Sequence, residues 1–276
     1  MPTNFSYWKK QDKPLFKDLD WNIPEQKSNH VAIIGGNSQN FAPIVKISEF
    51  LATSYPVKTV ETILPDALKS KLPPALPNLT FLPSTTSGSF DRSPLLAETL
   101  ARADFLFFAG DLTKNSITAV ALSEALKTLY QDPSDPDFEL TPDRAKILLT
   151  RDAVDLLIAE SEFLLGSGTI YVASMVQLQK VFRAVYYPRA ILLSAPLMQI
   201  VETLHKFTLS YPATIATFHE GQILVANAGK IISTPIENTK YTPISLWSGE
   251  LASHITAMNL WTPTQPLEAT AAAILK

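Results

Sequence analysis

Short apolar runs that end at turns, each followed by a stretch of helical spacing, recur along most of this chain. His30-Val-Ala-Ile-Ile-Gly-Gly-Asn37 and Asp104-Phe-Leu-Phe-Phe-Ala-Gly-Asp111 are the clearest. Neither run alternates apolar with polar residues, so each reads as a strand covered on both faces. Such a strand needs helices above and below its sheet. Repeated along the chain, that constraint predicts an α/β fold with three layers, α/β/α, around a mainly parallel central sheet.

The other elements fill in this frame. Helical spacing predicts helices over residues 43–52, 94–103, 115–130, 152–159, 176–184, 196–210, 249–260 and 267–275, with a short one inside 64–76. Further strands are predicted over 57–64, 80–82, 145–150, 168–173 and 189–194. Residues 214–217 and 222–226 flank a turn at His219-Glu220-Gly221, and a second turn at Ala226-Asn227-Ala228-Gly229 leads to 230–233. Strands this closely spaced predict an antiparallel edge. Residues 131–144 are rich in aspartate and proline and read as a surface loop, without the spacing of a calcium-binding EF-hand. Residues 1–29 read as an N-terminal arm on a single domain formed by 30–276. Its Phe5, Tyr7, Trp8, Leu15, Phe16 and Trp21 either anchor the arm or meet another subunit. Together with the apolar last helix they fit a homo-oligomer, the alternative being that both pack on the domain itself.

Composition excludes several chemistries. The chain has 276 residues, 46% of them hydrophobic, which suffices for a sizeable core. A net charge of −3 gives no basic excess to make nucleic acid or an anionic membrane a partner. With no cysteine there is no disulfide, thiolate metal site or cysteine nucleophile. No apolar run reaches the roughly 18 residues of a membrane span. The first residues do not have the pattern of a secretory leader, so a cytoplasmic location is expected. The four histidines lack metal-binding spacing, so no protein-built metal site is expected. Gly-x-Ser-x-Gly, a Walker lysine loop and Gly-x-Gly-x-x-Gly are all missing. There are nine glycines where average usage gives about 19, which leaves few for gripping phosphates with backbone amides.

Ligands of open α/β sheets bind beyond the carboxyl ends of the strands. Three turns qualify: Gly35-Gly36-Asn37, Ala109-Gly110-Asp111 and Ser248-Gly249-Glu250. The third opens a helix, where free amides and the helix dipole favour an anion. An acidic residue in a first helical turn also stabilises a helix with no ligand at all, and both readings stay open for Glu250.

The order and spacing of these turns resemble the ribokinase-like superfamily. Within it they are closest to the ADP- or ATP-dependent NAD(P)H-hydrate dehydratases, the C-terminal domain of YjeF-type repair proteins. The resemblance runs from about Leu15 to the end. Val31 to Asn37, followed by Phe41-Ala-Pro43, resembles the family's strand, Gly-Gly-Ser and Gly-Ala-Pro segment. Ala103 to Leu112 resembles its Ala-Asp, strand, Gly-Pro-Gly-Leu segment. Leu149-Thr-Arg-Asp-Ala-Val-Asp-Leu-Leu157 resembles its Leu-Asp-Ala-Asp-Ala-Leu-x-Leu-Leu. Trp247-Ser-Gly-Glu-Leu251 stands where the family has Gly-Thr-Gly-Asp.

The resemblance implies a nucleotide, ATP or ADP with Mg2+, at Trp247, Ser248 and Gly249, with Glu250 as the catalytic carboxylate. It implies a substrate side formed by Gly35, Gly36, Asn37, Gly110, Asp111 and Asp152, taking NAD(P)H hydrate. The departures concentrate at these same places. Trp247 replaces a glycine, Glu250 an aspartate, Thr150 an aspartate and His254 a glycine. The family's Thr-Pro-His-Pro-Gly-Glu stretch reads Val-Ala-Ser-Met-Val-Gln over residues 172–177, and its Lys-Gly stretch reads Thr-Phe-His-Glu-Gly over 217–221. Three functions follow as expectations: a diverged NAD(P)H-hydrate dehydratase with altered or lost activity, a non-catalytic binding or assembly protein, and a small-metabolite kinase.

Overall fold

The structure, a computed structural model, describes residues 8–10, 19–72, 78–130, 145–166 and 168–276. Phe5, Tyr7, Leu15, Phe16 and the whole 131–144 loop lie outside the described residues. The strands are β1 (Trp8–Lys10), β2 (Ser28–Gly35), β3 (Val57–Pro65), β4 (Leu79–Leu82), β5 (Phe105–Gly110), β6 (Lys146–Thr150), β7 (Thr169–Val172), β8 (Thr214–His219), β9 (Gln222–Asn227) and β10 (Lys230–Pro235). They form one ten-stranded sheet in the order β1-β10-β9-β8-β7-β6-β5-β2-β3-β4. From β4 to β8 every pairing is parallel. β8, β9 and β10 pair antiparallel, as their close spacing predicts. β1 then adds a short parallel edge beyond β10, so part of the arm extends the sheet. β2 begins at Ser28, so the expected boundary after Asn29 falls inside a strand.

The helices are α1 (Ala42–Ser54), α2 (Pro94–Leu100), α3 (Ser116–Tyr130), α4 (Asp152–Leu156), α5 (Ser161–Leu164), α6 (Met175–Ala184), α7 (Leu197–Ser210), α8 (Ser245–Ser248), α9 (Glu250–Trp261) and α10 (Pro266–Ile274). Local signals explain several of them. Proline stands in the first turn of α1, where a missing N–H costs nothing, and Ile44, Ile47, Ser48 and Leu51 bury one face. Ser174 and Gln177 close a reciprocal capping box at the start of α6.

The strands β2 to β10 lie between two cores. In β5, Phe105, Phe107 and Ala109 face α1, α9 and α10, whereas Leu106 and Phe108 face α2, α3, α6 and α7. β2 divides the same way, with Val31 and Ile33 on the first face and Ala32 and Ile34 on the second. This two-sided burial is why the runs carry no polar alternation.

One expected strand is absent. Residues 189–194 form an irregular connection, because β7 already has β6 and β8 on its two sides and leaves no ladder to join. Instead the Gln179 amide donates to the Ile191 carbonyl at 2.6 Å, and Tyr187 packs edge-on against Phe207. The helix or helical turn expected over 152–159 is α4 followed by a 3-10 turn, Ile158–Glu160.

Candidate functional site

Strand order runs one way from β2 through β3 to β4 and the other way from β5 to β8. The reversal lies between β2 and β5, where open α/β sheets form a ligand crevice at the strand carboxyl ends. Gly35, Gly36 and Asn37 leave β2 there, and Gly110 and Asp111 leave β5.

The two strand ends are tied tightly. The Gly36 amide donates to the Gly110 carbonyl at 3.0 Å. A Cβ on Gly35 would stand 2.3 Å from the Gly110 oxygen, so the approach requires glycine. The Asn37 side-chain amide donates to the Asp111 carbonyl at 2.6 Å, and that of Asn40 to Asp111 Oδ1 at 2.6 Å.

Asp111 is the centre of this floor. It is buried, and its carboxylate receives both ends of the Arg151 guanidinium, with Nη1 at 2.8 Å from Oδ2 and Nη2 on Oδ1. Its own amide donates to Asp152 Oδ1 at 2.8 Å. Asp111 and Arg151 both have positive φ, 57° and 56°, backbone conformations that cost side-chain-bearing residues free energy and cluster at functional sites. That turn folds Arg151 back over β5, where its Nη1 also reaches the Ala109 carbonyl at 3.4 Å. Its Nε is buried without a hydrogen-bond partner. The Gln177 side chain holds the Arg151 carbonyl from α6. Burial pushes the Asp111 carboxyl above the ordinary carboxylate range, against the pull of Arg151. Burial likewise raises Asp152; Arg151 opposes the shift and the Asp111 charge adds to it. Asp155, one turn along α4, is held below the usual range: burial raises it, but Lys180 and Lys114 outweigh that.

The second group of residues sits at the start of α9. This helix begins beside Ile47 of α1 and ends where the Trp261 indole reaches Ser28 and Asn29 at the beginning of β2. Its N-terminus therefore faces the same end of the sheet as the crevice. Gly249 has φ 79°, and a Cβ there would stand 2.3 Å from Ile47 Cδ1, so the tight entry into α9 also requires glycine. The Glu250 amide donates to Ser248 Oγ at 3.3 Å. Trp247 is 49% exposed, so its indole does not plug the turn from within.

Glu250 is not free. Its carboxylate pairs with Lys240 from the segment after β10, and His254 Nε2 lies 3.9 Å away. His254 is buried, bonds Tyr55 Oη through Nδ1 at 2.5 Å, and has Lys240 Nζ 3.4 Å from Nε2. Burial and then the Lys240 charge push its pKa down to about 4, so the imidazole is neutral near pH 7. The neighbouring Tyr241 hydroxyl is buried without a hydrogen-bond partner. Burial and the charges of Glu250 and Tyr55 raise its pKa.

Thus Gly35, Gly36, Asn37, Gly110, Asp111 and Asp152 form one connected group, and Trp247, Ser248, Gly249 and Glu250 a second. Among the described residues no hydrogen bond or ion pair joins the two. Arg151, Asn40, Gln177 and Lys240 are partners that sequence reasoning missed. A hollow of about 400 Å³ lined by Arg102, Asp104, Tyr130 and Ala145 lies at the opposite end of the sheet.

A mainly parallel sheet with an antiparallel edge, and helical layers on both faces, is the architecture. The fold is ribokinase-like. No family model matches the sequence, and no curated protein matches it. Among solved structures, the hypothetic protein SMU.573 from Streptococcus mutans shares it with a TM-score of 0.66 at 14% identity, over 97% of this chain and 88% of that one. The ADP/ATP-dependent NAD(P)H-hydrate dehydratase from Bacillus subtilis, co-crystallized with ATP/Mg2+, gives a TM-score of 0.56 at 12% identity, over 94% of this chain and 84% of that one. Bacillus subtilis YxkO, a member of the UPF0031 family, gives 0.55 at 13% identity, over 94% of this chain and 84% of that one. Identities this low establish a shared fold and nothing finer. Among the described residues no helix is long and apolar enough to cross a membrane.

Proposed function

We propose that this chain is a diverged NAD(P)H-hydrate dehydratase-like protein that binds ATP or ADP at the turn 247–250. The observation that carries the reading is the placement of the Ser248-Gly249-Glu250 turn. It opens α9 at the same end of the sheet as the β2–β5 crevice, with the Lys240 ammonium beside it. The left-handed Gly249, the Ser248 hydroxyl and Lys240 suit a phosphate chain. Mg2+ fits only as an ion carried by that chain. Among the described residues no three carboxylates or histidines gather to hold a metal, and Asp111 already has Arg151 and Asn40 as partners. A phosphate-held Mg2+ with few protein ligands is its usual state. When bound, the nucleotide supplies the transferable phosphoryl group.

In this reading Glu250 accepts the proton of the substrate hydroxyl. Gly35, Gly36, Asn37, Gly110, Asp111 and Asp152 form the substrate side. A reactive hydroxyl placed there requires only orientation and charge from the protein.

A second reading, a non-catalytic binding protein of the same fold, is favoured by the occupation of both carboxylates: Asp111 by Arg151 and Glu250 by Lys240. A small-metabolite kinase uses the same two groups and is the third. Titration calorimetry with ATP and ADP plus Mg2+, on wild type and Trp247→Gly, tests the first step. Saturable binding, followed by NADH formation from NADH hydrate that Glu250→Ala abolishes, supports the dehydratase. Binding without turnover of hydrate or of alcohols supports the binding protein. Absence of binding in both proteins refutes the nucleotide reading.

A further inference from the structure

We infer that Lys240 and Glu250 form an exchangeable pair: the phosphate chain of a nucleoside di- or triphosphate takes Lys240 and releases the Glu250 carboxylate. The glutamate is then free to act only in the nucleotide complex. The inference rests on the proposed meeting of nucleotide phosphates with the 247–250 turn.

Lys240 is held from two sides of different strength. On the buried side stands His254, whose side chain is only 9% exposed. Because this imidazole is neutral near pH 7, it accepts at Nε2 from Lys240 and carries its proton on Nδ1, toward the Tyr55 hydroxyl. This tautomer is assigned from the partners. His254 therefore anchors the ammonium without neutralising it. On the outer side stands Glu250, and here both side chains are nearly half exposed, 47% for Lys240 and 43% for Glu250. An ion pair so open to water is weak and screened by salt. A polyphosphate carries more charge than one carboxylate and makes charge-assisted hydrogen bonds with an ammonium, so it displaces Glu250 while His254 keeps Lys240 in place. The hydroxyl of Tyr241, next to Lys240 in the chain, is buried without a hydrogen-bond partner.

Lys240 is thus a positioning residue that holds Glu250 idle until nucleotide arrives. A glutamate reaches one methylene further than the aspartate of the resembled family, which gives it the length to bridge to Lys240 at rest.

The test is calorimetric titration of the full chain with ATP and ADP plus Mg2+, using wild type, Glu250→Gln, Lys240→Met and the double variant. Loss of one charge-assisted contact in Lys240→Met should weaken binding about tenfold. Removal of the competitor in Glu250→Gln should tighten it about two- to fivefold. That gain should vanish in the Lys240→Met background. An equal gain with and without Lys240 would mean that Glu250 only repels phosphate, and would overturn the exchange. No gain in Glu250→Gln would overturn it as well. Failure of the nucleotide reading looks different: neither wild type nor Trp247→Gly binds at all, and the exchange falls with it. Thermal unfolding of each variant without nucleotide checks that the fold is intact.

Discussion

At the scale of single residues, the Asp111–Arg151 pair is the most consequential feature. Asp111 and Asp152 were visible as carboxylates at strand ends. Arg151 was not, because an arginine between a threonine and an aspartate reads as a surface side chain. Only its positive φ folds the guanidinium back over β5. Arg151→Met should leave Asp111 buried and unpaired, at a cost of about 3–5 kcal/mol in denaturant unfolding. A loss under about 1 kcal/mol would mean that the carboxyl is already protonated or hydrated. His254 gives a pH signature. The unfolded imidazole takes up its proton near pH 6.5, whereas the folded one resists until about pH 4. Its contribution to stability is therefore complete above pH 6.5 and is lost as pH falls through that window. Asp111 and Asp152, raised above the carboxylate norm, act with the opposite sign and lose stability as pH rises. Unfolding free energies between pH 4 and pH 6.5 should fall less steeply for His254→Gln than for wild type.

At the scale of elements, most of the predicted helices and strands appear because their signals are local. Pro43, the Ser174–Gln177 box and the all-apolar β5 each act within a few residues. The strand expected over 189–194 fails for a non-local reason, since its apolar residues had no free ladder to enter. Gly35 shows the reverse case. As a strand-end glycine it looked like a marker of a turn, yet what requires it is the Gly110 carbonyl 2.3 Å from where its Cβ would be. Gly35→Ala should force β2 and β5 apart at their carboxyl ends and cost about 1–3 kcal/mol. Chemical denaturation measures the loss, and faster amide exchange at Gly36 would localise it.

At the scale of the whole molecule, one sheet separates two cores that share almost no side chains. Phe107 and Phe108 are adjacent in sequence and face opposite cores. Each trimmed to leucine should cost about 1 kcal/mol or more, and the double variant should cost their sum within about 0.5 kcal/mol. Strong coupling between them would contradict two independently packed layers. The same layering sets the candidate site. The strand order reverses between β2 and β5, and α9 enters from the α1 face with Gly249 against Ile47.

Apolar runs without alternation, turn glycines and helical spacing are local properties of the chain. By themselves they determined the α/β class, the parallel sheet with its antiparallel pairs, and three turns at the carboxyl ends of strands or the start of a helix. Tertiary structure alone decided the partners. Which side chains meet depends on segments far apart in the chain: the Arg151 guanidinium meets the Asp111 carboxylate across 40 positions, and the neutral His254 imidazole meets the Tyr55 hydroxyl across 199. No spacing rule reaches that far. Ion pairs are set by where packing brings side chains together, and that placement engages Asp111 with Arg151 and Glu250 with Lys240.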